Sequence, residues 1–180
     1  TKAVGHIRRV AETGGDARMS EEEAVAASGR YGSWLGMDLG LAYAEGALIP
    51  DGTPPPAVDD PVIDYRHVAR PGHRATWLEL GNTASIGSGR ASTLDHFDKR
   101  FTLVSADPAW AASGVAAPYL QFLTDDAVAE PYELGSGGAC LVRPDGHVAW
   151  RLALDESAPA PSSPDHAEIL HRILARLGLS

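Results

Sequence analysis

The side chains here that could do chemistry are seven histidines, one cysteine and a few acidic pairs. Histidines and acids could hold a metal, and paired carboxylates could move protons. A cysteine could exchange disulfides. His67 and His73 stand six apart across a Pro-Gly turn, and His166 and His171 stand five apart on what reads as the last helix. At about 100° per residue the second pair is separated by about 500° of rotation, so its rings project in poorly matched directions. No HxxxH pattern occurs and no cysteine joins them. Solvent-facing histidines are therefore expected, not a zinc site. Asp59-Asp60, Asp125-Asp126 and Asp155-Glu156 fall in predicted loops. Water there keeps both carboxylates ionised, whereas acid–base work needs burial that separates their pKa values. Ser92, Asp95 and His96 have the residue types of a hydrolytic triad. They lie too close in sequence to form one, and no GxSxG elbow is present. Cys140, within the apolar run ACLV, reads as a buried small hydrophobe without a CxxC partner. GSGRAS (87–92) and GSGG (135–138) have close glycines but lack the GxGxxG spacing and strand-to-helix context that cradle a pyrophosphate. The sequence thus yields no catalytic, cofactor-binding or metal-ligating residue.

The elements that would position these groups form a short series. Residues 2–13 and 20–29 read as helices, the second with Ser20 as N-cap and Glu23 three residues on. A strand-like run follows from Leu41 to Ile49, then PDGTPPPAVDDP, whose prolines cannot sit in a helix or central strand. We expect a helical segment over 1–50, a Pro-rich linker over 51–74 and a more regular domain over 75–180. In that domain TWLEL reads as a strand, TLDHF as a helical turn and RFTLVSA as a strong strand. Asp107-Pro108 opens a predicted helix, and PYLQFLT is the next strand. GGACLVRPDGHVAWRL reads as a hairpin turning on Pro144-Asp145-Gly146. A last helix starts near Ser163-Pro164-Asp165, with Ile169, Leu170, Ile173, Leu174 and Leu177 as its apolar stripe and Gly178 as its stop. Strand, helix and strand imply a parallel pair, which an antiparallel hairpin extends and a helix covers. That order is a thioredoxin-like α/β sheet flanked by helices, with an N-terminal helical extension.

Composition narrows the partners. An apolar fraction of 44% allows a packed core in 180 residues. The formal charge of −9 repels phosphate backbones, and no run of four Lys/Arg overrides it, so nucleic acid is not expected. No apolar stretch approaches the roughly 20 residues a membrane span needs. The N-terminal TKAVGHIRRV lacks the apolar core of a signal peptide, so a cytoplasmic location is the expectation. The chain lacks an initiator Met and starts in what reads as mid-helix, which suggests a fragment; tag removal or processing would explain it too.

From residue 39 onward, DLGLAY, ALIPDGTPPP, YRHVARPGHRA, WLEL, STLDHF, RFTLVSADPAW and LVRPDGHVAWR follow one another in order. This series resembles the C-terminal region of FAD-dependent aromatic hydroxylases, the class A flavoprotein monooxygenases of phenols and aromatic polyketides. The resemblance implies a thioredoxin-like fold without thioredoxin chemistry; DPAWAAS stands where CxxC would follow the first strand. It implies a parent enzyme in which NAD(P)H, FAD and oxygen hydroxylate an activated aromatic ring, with no cofactor held by this portion. Its partners would be the flavin and substrate domains, and it could also mediate homo-oligomer contacts. The turn Arg70-Pro71-Gly72-His73-Arg74 leads into this region in the family, and its two arginines could dock it on those domains. Two departures stand out: PGHRATWLEL lacks the Pro-His pair of the family's PGxRAPHxWL, and GNTASIGSG is a longer insert. Two rivals remain open at this point, a stand-alone thioredoxin-like binding module and a single-cysteine thiol-redox protein.

Overall fold

The computed structural model describes residues 34–81, 92–135, 137–154 and 165–179. The helices expected over 2–13 and 20–29, most of the GSGRAS loop and the SAPAPSSP segment lie outside these residues. The described chain divides into two compact units, residues 34–39 with 58–65 and residues 40–57 with 66–179.

The first unit contains α1, Leu35–Leu39. The sequence reading left this glycine-containing stretch without a helix. Gly36 supplies the reason it fits: a Cβ there would lie 2.3 Å from the Pro61 carbonyl oxygen, so only glycine allows the approach. The Met37 amide donates to Val62 O at 3.2 Å, and Asp60 closes its own turn by accepting from the Asp64 amide at 2.7 Å.

The second unit is a mixed four-stranded sheet with few helices. Its strands are β1 (Phe101–Ser105), β2 (Leu120–Thr124), β3 (Ala139–Val142) and β4 (Val148–Leu152), ordered β2-β1-β3-β4. β1 and β2 run parallel, with Leu103 opposite Phe122. β3 runs antiparallel to β1 and to β4, pairing Leu103 with Leu141 and Cys140 with Arg151. Between β3 and β4 the Gly146 amide donates to Arg143 O at 2.9 Å, and the Arg143 amide to His147 O at 2.8 Å. Gly146 takes φ 78°, which the Pro-Asp-Gly turn requires.

Both faces of this sheet are covered, so its central strands read as continuous apolar runs instead of alternating ones. Val104, Cys140, Val142 and Val148 face a core with Val128, Tyr132, Leu134 and Phe97. Leu103, Leu141 and Ala149 face the opposite core with Trp110, Val115 and helix α2, His166–Arg176. Leu170, Ile173 and Leu174 of α2 are buried there, each contributing roughly 1.5–3 kcal/mol relative to exposure. Asp165 caps α2 by accepting from the Glu168 amide at 3.1 Å. At its other end Gly178, at φ 72°, lets the Leu179 amide reach Leu174 O at 2.8 Å, a Schellman closure.

Three sequence expectations are corrected. The helix predicted from Asp107-Pro108 is a turn followed by a 3₁₀ turn, Ala111–Ser113. Gly114, left-handed at φ 80°, stops it six residues after Pro108, too few for a stable helix. TWLEL forms no strand: it makes a single bridge, Glu79 to Ser92. Its burial still alternates, with Trp77 and Glu79 exposed and Leu80 buried. The Leu41–Ile49 run is likewise no strand. Its ladder reduces to isolated bonds such as Ile49 N to Ala149 O at 2.7 Å, and Gly46 bends it at φ 104°. The TLDHF turn does form, as the 3₁₀ helix Thr93–His96. Among the described residues no helix is long and apolar enough to cross a membrane.

Candidate functional site

The Arg70–Arg74 turn is built into the second unit. Pro71, Gly72 and His73 are buried, Arg70 is half-buried and Arg74 is exposed. The backbone explains why. The Gly72 amide donates to Val148 O at 2.8 Å and the Val148 amide returns to His73 O at 2.8 Å. On its other side the Tyr43 amide donates to Gly72 O at 2.9 Å. Gly72 holds φ 94°, and a Cβ there would lie 2.1 Å from Tyr43 O, so the turn has no room for a side chain. The turn thus lies along the start of β4.

A polar cluster gathers around it. His147 meets Tyr43 edge-on, ring centroids 4.8 Å apart, and the Arg143 guanidinium lies 4.7 Å from the centre of the same ring. Asp145 takes Arg143 at 2.6 Å, and its carboxylate lies 3.5 Å from His147 Nδ1. His67 contacts the Thr76 hydroxyl. Burial lowers the His73 pKa, and the charges of Arg70, His67 and His147 push it the same way. Desolvation also lowers that of His67, against the opposing effect of the Pro131 carbonyl and Glu133. Residue exposure of 8% at His73 and 4% at His147 corrects the expectation of solvent-facing histidines at these two positions. The signal was available: GHV alternates into a strand, and that places His147 beside the buried Val148.

A second cluster was missed. Arg151, on β4 opposite Cys140, is buried and still fully paired. Its Nε donates to Asp51 at 3.0 Å, one terminal nitrogen to Thr53 Oγ1 at 2.7 Å and the other to Glu133 at 2.7 Å. Burial of Asp51 pushes its pKa up, but hydrogen bonds from Thr53 and the charge of Arg151 outweigh it, and the net shift is downward. The sequence clue was an arginine inside an apolar strand; its partners lie about 100 and 18 residues away, which no local pattern reveals.

The remaining candidates have structural employment. The Ser92 amide and hydroxyl both donate to Asp95, at 2.7 and 2.9 Å, which caps the 3₁₀ turn and draws the Asp95 pKa down. Asp125 accepts from the Ala127 amide at 2.9 Å. Asp60 closes the turn described above, and Asp155-Glu156 lie outside the described residues. His166 packs on Trp110, centroids 4.4 Å apart, while His171 is exposed. Trp110 is buried and meets Trp150 edge-on at 6.0 Å; Trp34 and Trp77 are exposed. Among the described residues no group of three His, Cys, Asp or Glu could hold a metal. Cys140 is fully buried and burial drives its thiol pKa upward, so it presents no thiolate for exchange. After β1, where a redox pair would stand, the Asp107 amide donates to Ser105 Oγ at 3.0 Å, and Asp107 in turn caps Ala109 at 2.8 Å.

The GSGG stretch does not fit a flavin pyrophosphate. A Cβ on Gly135 would lie 2.3 Å from Leu154 O, and one on Gly138 would lie 2.1 Å from Leu134 O. The space these glycines leave is filled by the protein's own backbone.

Comparison with known proteins adds the family. A model described as the C-terminal region of aromatic-ring hydroxylases matches residues 68–176. Aklavinone 12-hydroxylase RdmE of Streptomyces purpurascens is 35% identical over 154 residues, which cover 77% of this chain and 26% of that protein. The 2,4-dichlorophenol 6-monooxygenase of Delftia acidovorans is 31% identical over 64% of this chain and 22% of its own length. Among solved structures, the flavin-dependent monooxygenase PieE in complex with FAD and substrate aligns at TM-score 0.64 and 34% identity, over 91% of this chain and 31% of that one. A ternary complex of aklavinone-11 hydroxylase with FAD and aklavinone aligns at TM-score 0.60 and 30% identity, over 81% and 27%. The chain spans about a quarter of the length of the curated relatives it matches.

Proposed function

Since the chain belongs to the aromatic-ring hydroxylase C-terminal family, we propose that it is the non-catalytic C-terminal domain of an FAD-dependent, NAD(P)H-using aromatic hydroxylase. Its role is structural: it covers the catalytic domains or joins protomers of a homo-oligomer. The observation that carries this reading is the asymmetry of the alignments. PieE, solved with FAD and substrate, matches over 91% of this chain but only 31% of its own. On this reading the portion that holds flavin and substrate is the part of the parent that this chain does not cover. In agreement, Gly135 and Gly138 of GSGG are spent on backbone contacts. We read the sheet as thioredoxin-like, supported by the parallel β1–β2 pair, the antiparallel β3–β4 hairpin beside it and helix α2 on one face. A cytoplasmic location suits a domain whose single cysteine is buried and unpaired.

The Arg70–Arg74 turn is our candidate for docking on the flavin and substrate domains. Pro71 to His73 anchor it to β4, and Arg70 and Arg74 are left to meet another surface. The 180-residue chain should purify without flavin absorbance, while the reading frame upstream of Thr1 should encode a GxGxxG flavin domain that purifies yellow. A stoichiometrically yellow 180-residue chain, or an upstream frame without that fingerprint, would overturn the proposal.

A further inference from the structure

Trp77 is an exposed tryptophan on a fixed mount. It is 60% exposed, more than any other large apolar residue among those described. The peptide groups on either side of it are pinned. Thr76 O accepts from the Thr93 hydroxyl at 2.7 Å and from the Tyr132 hydroxyl at 2.9 Å. The Leu78 amide donates to Thr93 Oγ1 at 3.0 Å, and the Thr93 amide to Leu78 O at 2.9 Å. Thr93 and Tyr132 are fully buried, so the mount is part of the core. The Glu79–Ser92 bridge is antiparallel, and continuing its register sets Leu78 against Thr93 and Trp77 opposite Leu94. Leu94 is 46% exposed. Two large apolar residues are thus exposed at one place on the surface, in a unit that otherwise buries its apolar residues on both faces of the sheet.

We propose that Trp77 and Leu94 form a docking anchor that seats in an apolar recess on the portion of the parent protein preceding this domain. The inference rests on the proposed function above and adds a second, apolar contact to the docking reading. Tryptophan is enriched among the residues that carry interface energy, and a mount ordered in advance spares the entropy of fixing it on contact. Two other occupants fit poorly. A second copy would bring together two chains of net charge −9. The pair also offers only on the order of 200 Å², against the roughly 800 Å² per partner of a stable complex. The chain's own segment 82–91, NTASIGSGRA, has one large apolar residue, Ile86, with which to cover a tryptophan. A tethered body needs no such area, because its effective concentration replaces part of the affinity. The matched span is about a quarter of the curated relatives' length, so most of the surface that could supply the recess lies outside this chain.

Hydroxyl-radical footprinting read by mass spectrometry tests this, and on the wild type it needs no variant to fold. In the 180-residue chain Trp77 should oxidise at least fivefold faster than the buried Trp110. In the full-length parent its rate should fall at least fivefold, while that of Trp110 stays low. There the double variant Trp77→Ser/Leu94→Ser should raise the rate of proteolytic release of this domain at least fivefold, with Trp77→Phe intermediate. Slow oxidation of Trp77 in the isolated chain overturns the proposal. If it is slow at every concentration the chain covers Trp77 itself, and if it is slow only in concentrated solution a second copy does. Protection of Trp77 in the parent with release unchanged by the double variant also overturns it, because the pair is then covered without anchoring. Equal oxidation of Trp77 in chain and parent, with slow release of the wild-type domain, removes this anchor and leaves docking through Arg70 to Arg74 standing. The absence of a parent protein, or fast release from it, removes both.

Discussion

Replacing Asp51 with alanine should cost far more than replacing Glu133, although both carboxylates hold the same arginine. The Arg151 side chain is 5% exposed, that of Asp51 15% and that of Glu133 53%. Removing one partner of a buried pair typically costs 3–5 kcal/mol, because a charge is left without compensation. Here Glu133 stays at 2.7 Å, which places Asp51→Ala at the low end, about 3 kcal/mol. Glu133→Ala removes a half-exposed carboxylate worth about 0–1 kcal/mol. At about 2–4 °C per kcal/mol for a chain of this size, Asp51→Ala should lower the melting midpoint by roughly 6–12 °C. The double variant Asp51→Ala/Arg151→Met should recover most of that loss, since it removes the stranded charge as well. The pH dependence has a definite sign. The Asp51 pKa is lowered from the ordinary 3.8 by Thr53 and Arg151, which overcome its burial. Its contribution is therefore complete above the ordinary value and is lost as pH falls through the folded-state value. The gap between wild type and Asp51→Asn should be constant near neutrality and close under strong acid. Circular dichroism melting at several pH values measures all of this. A loss for Asp51→Ala below about 1 kcal/mol, or one equal to that of Glu133→Ala, would refute the reasoning.

Three further outcomes can be checked on the same protein. Gly72→Ala should destabilise by at least about 2 kcal/mol in urea unfolding, because its Cβ would strike Tyr43 O at 2.1 Å; Gly146→Ala, at a similar φ but in open space, should cost only about 1 kcal/mol. Cys140 should resist a thiol reagent in the native chain and react at once in denaturant, and rapid native labelling would contradict its burial. Cys140→Ser should cost about 1–3 kcal/mol, since the hydroxyl finds no acceptor prepared for it.

What the sequence revealed depended on how local the cause was. The Pro144-Asp145-Gly146 hairpin, the helix start near Ser163-Pro164-Asp165 and the Gly178 stop each follow from a few adjacent residues, and each forms where expected. The parallel β1–β2 pair also follows, from two strong strands with a connection between them. TWLEL failed for a non-local reason: its alternation is real, but among the described residues only the backbone of Ser92 and Thr93 comes alongside to bond its own. Leu41 to Ile49 failed likewise, its amides spread over Gly72 and Ala149 instead of one partner strand. The site behaved the same way. Arg70 to Arg74 was visible as a motif, but its burial comes from Tyr43 and Val148, remote in sequence. The Arg151 cluster joins Asp51, Thr53 and Glu133 across the fold, and nothing in any one segment announces it.

Arg151 and Arg70 together separate two uses of a buried cation. Both are arginines in the same unit, and both are substantially withdrawn from water. All three guanidinium nitrogens of Arg151 meet acceptors within the chain, two of them carboxylates. It ties the Asp51 loop and the Glu133 turn to β4, which is a complete internal function. Arg70 has donors of the same kind, and among the described residues its Nε is closed to solvent without an acceptor. A self-sufficient domain gains nothing from that arrangement, because an apolar side chain would pack there without the desolvation cost. The contrast makes Arg70 the residue to test for docking and Arg151 the residue to test for stability. Arg70→Met should then spare the melting midpoint of the isolated chain, and loss of Asp51 beside Arg151 should lower it.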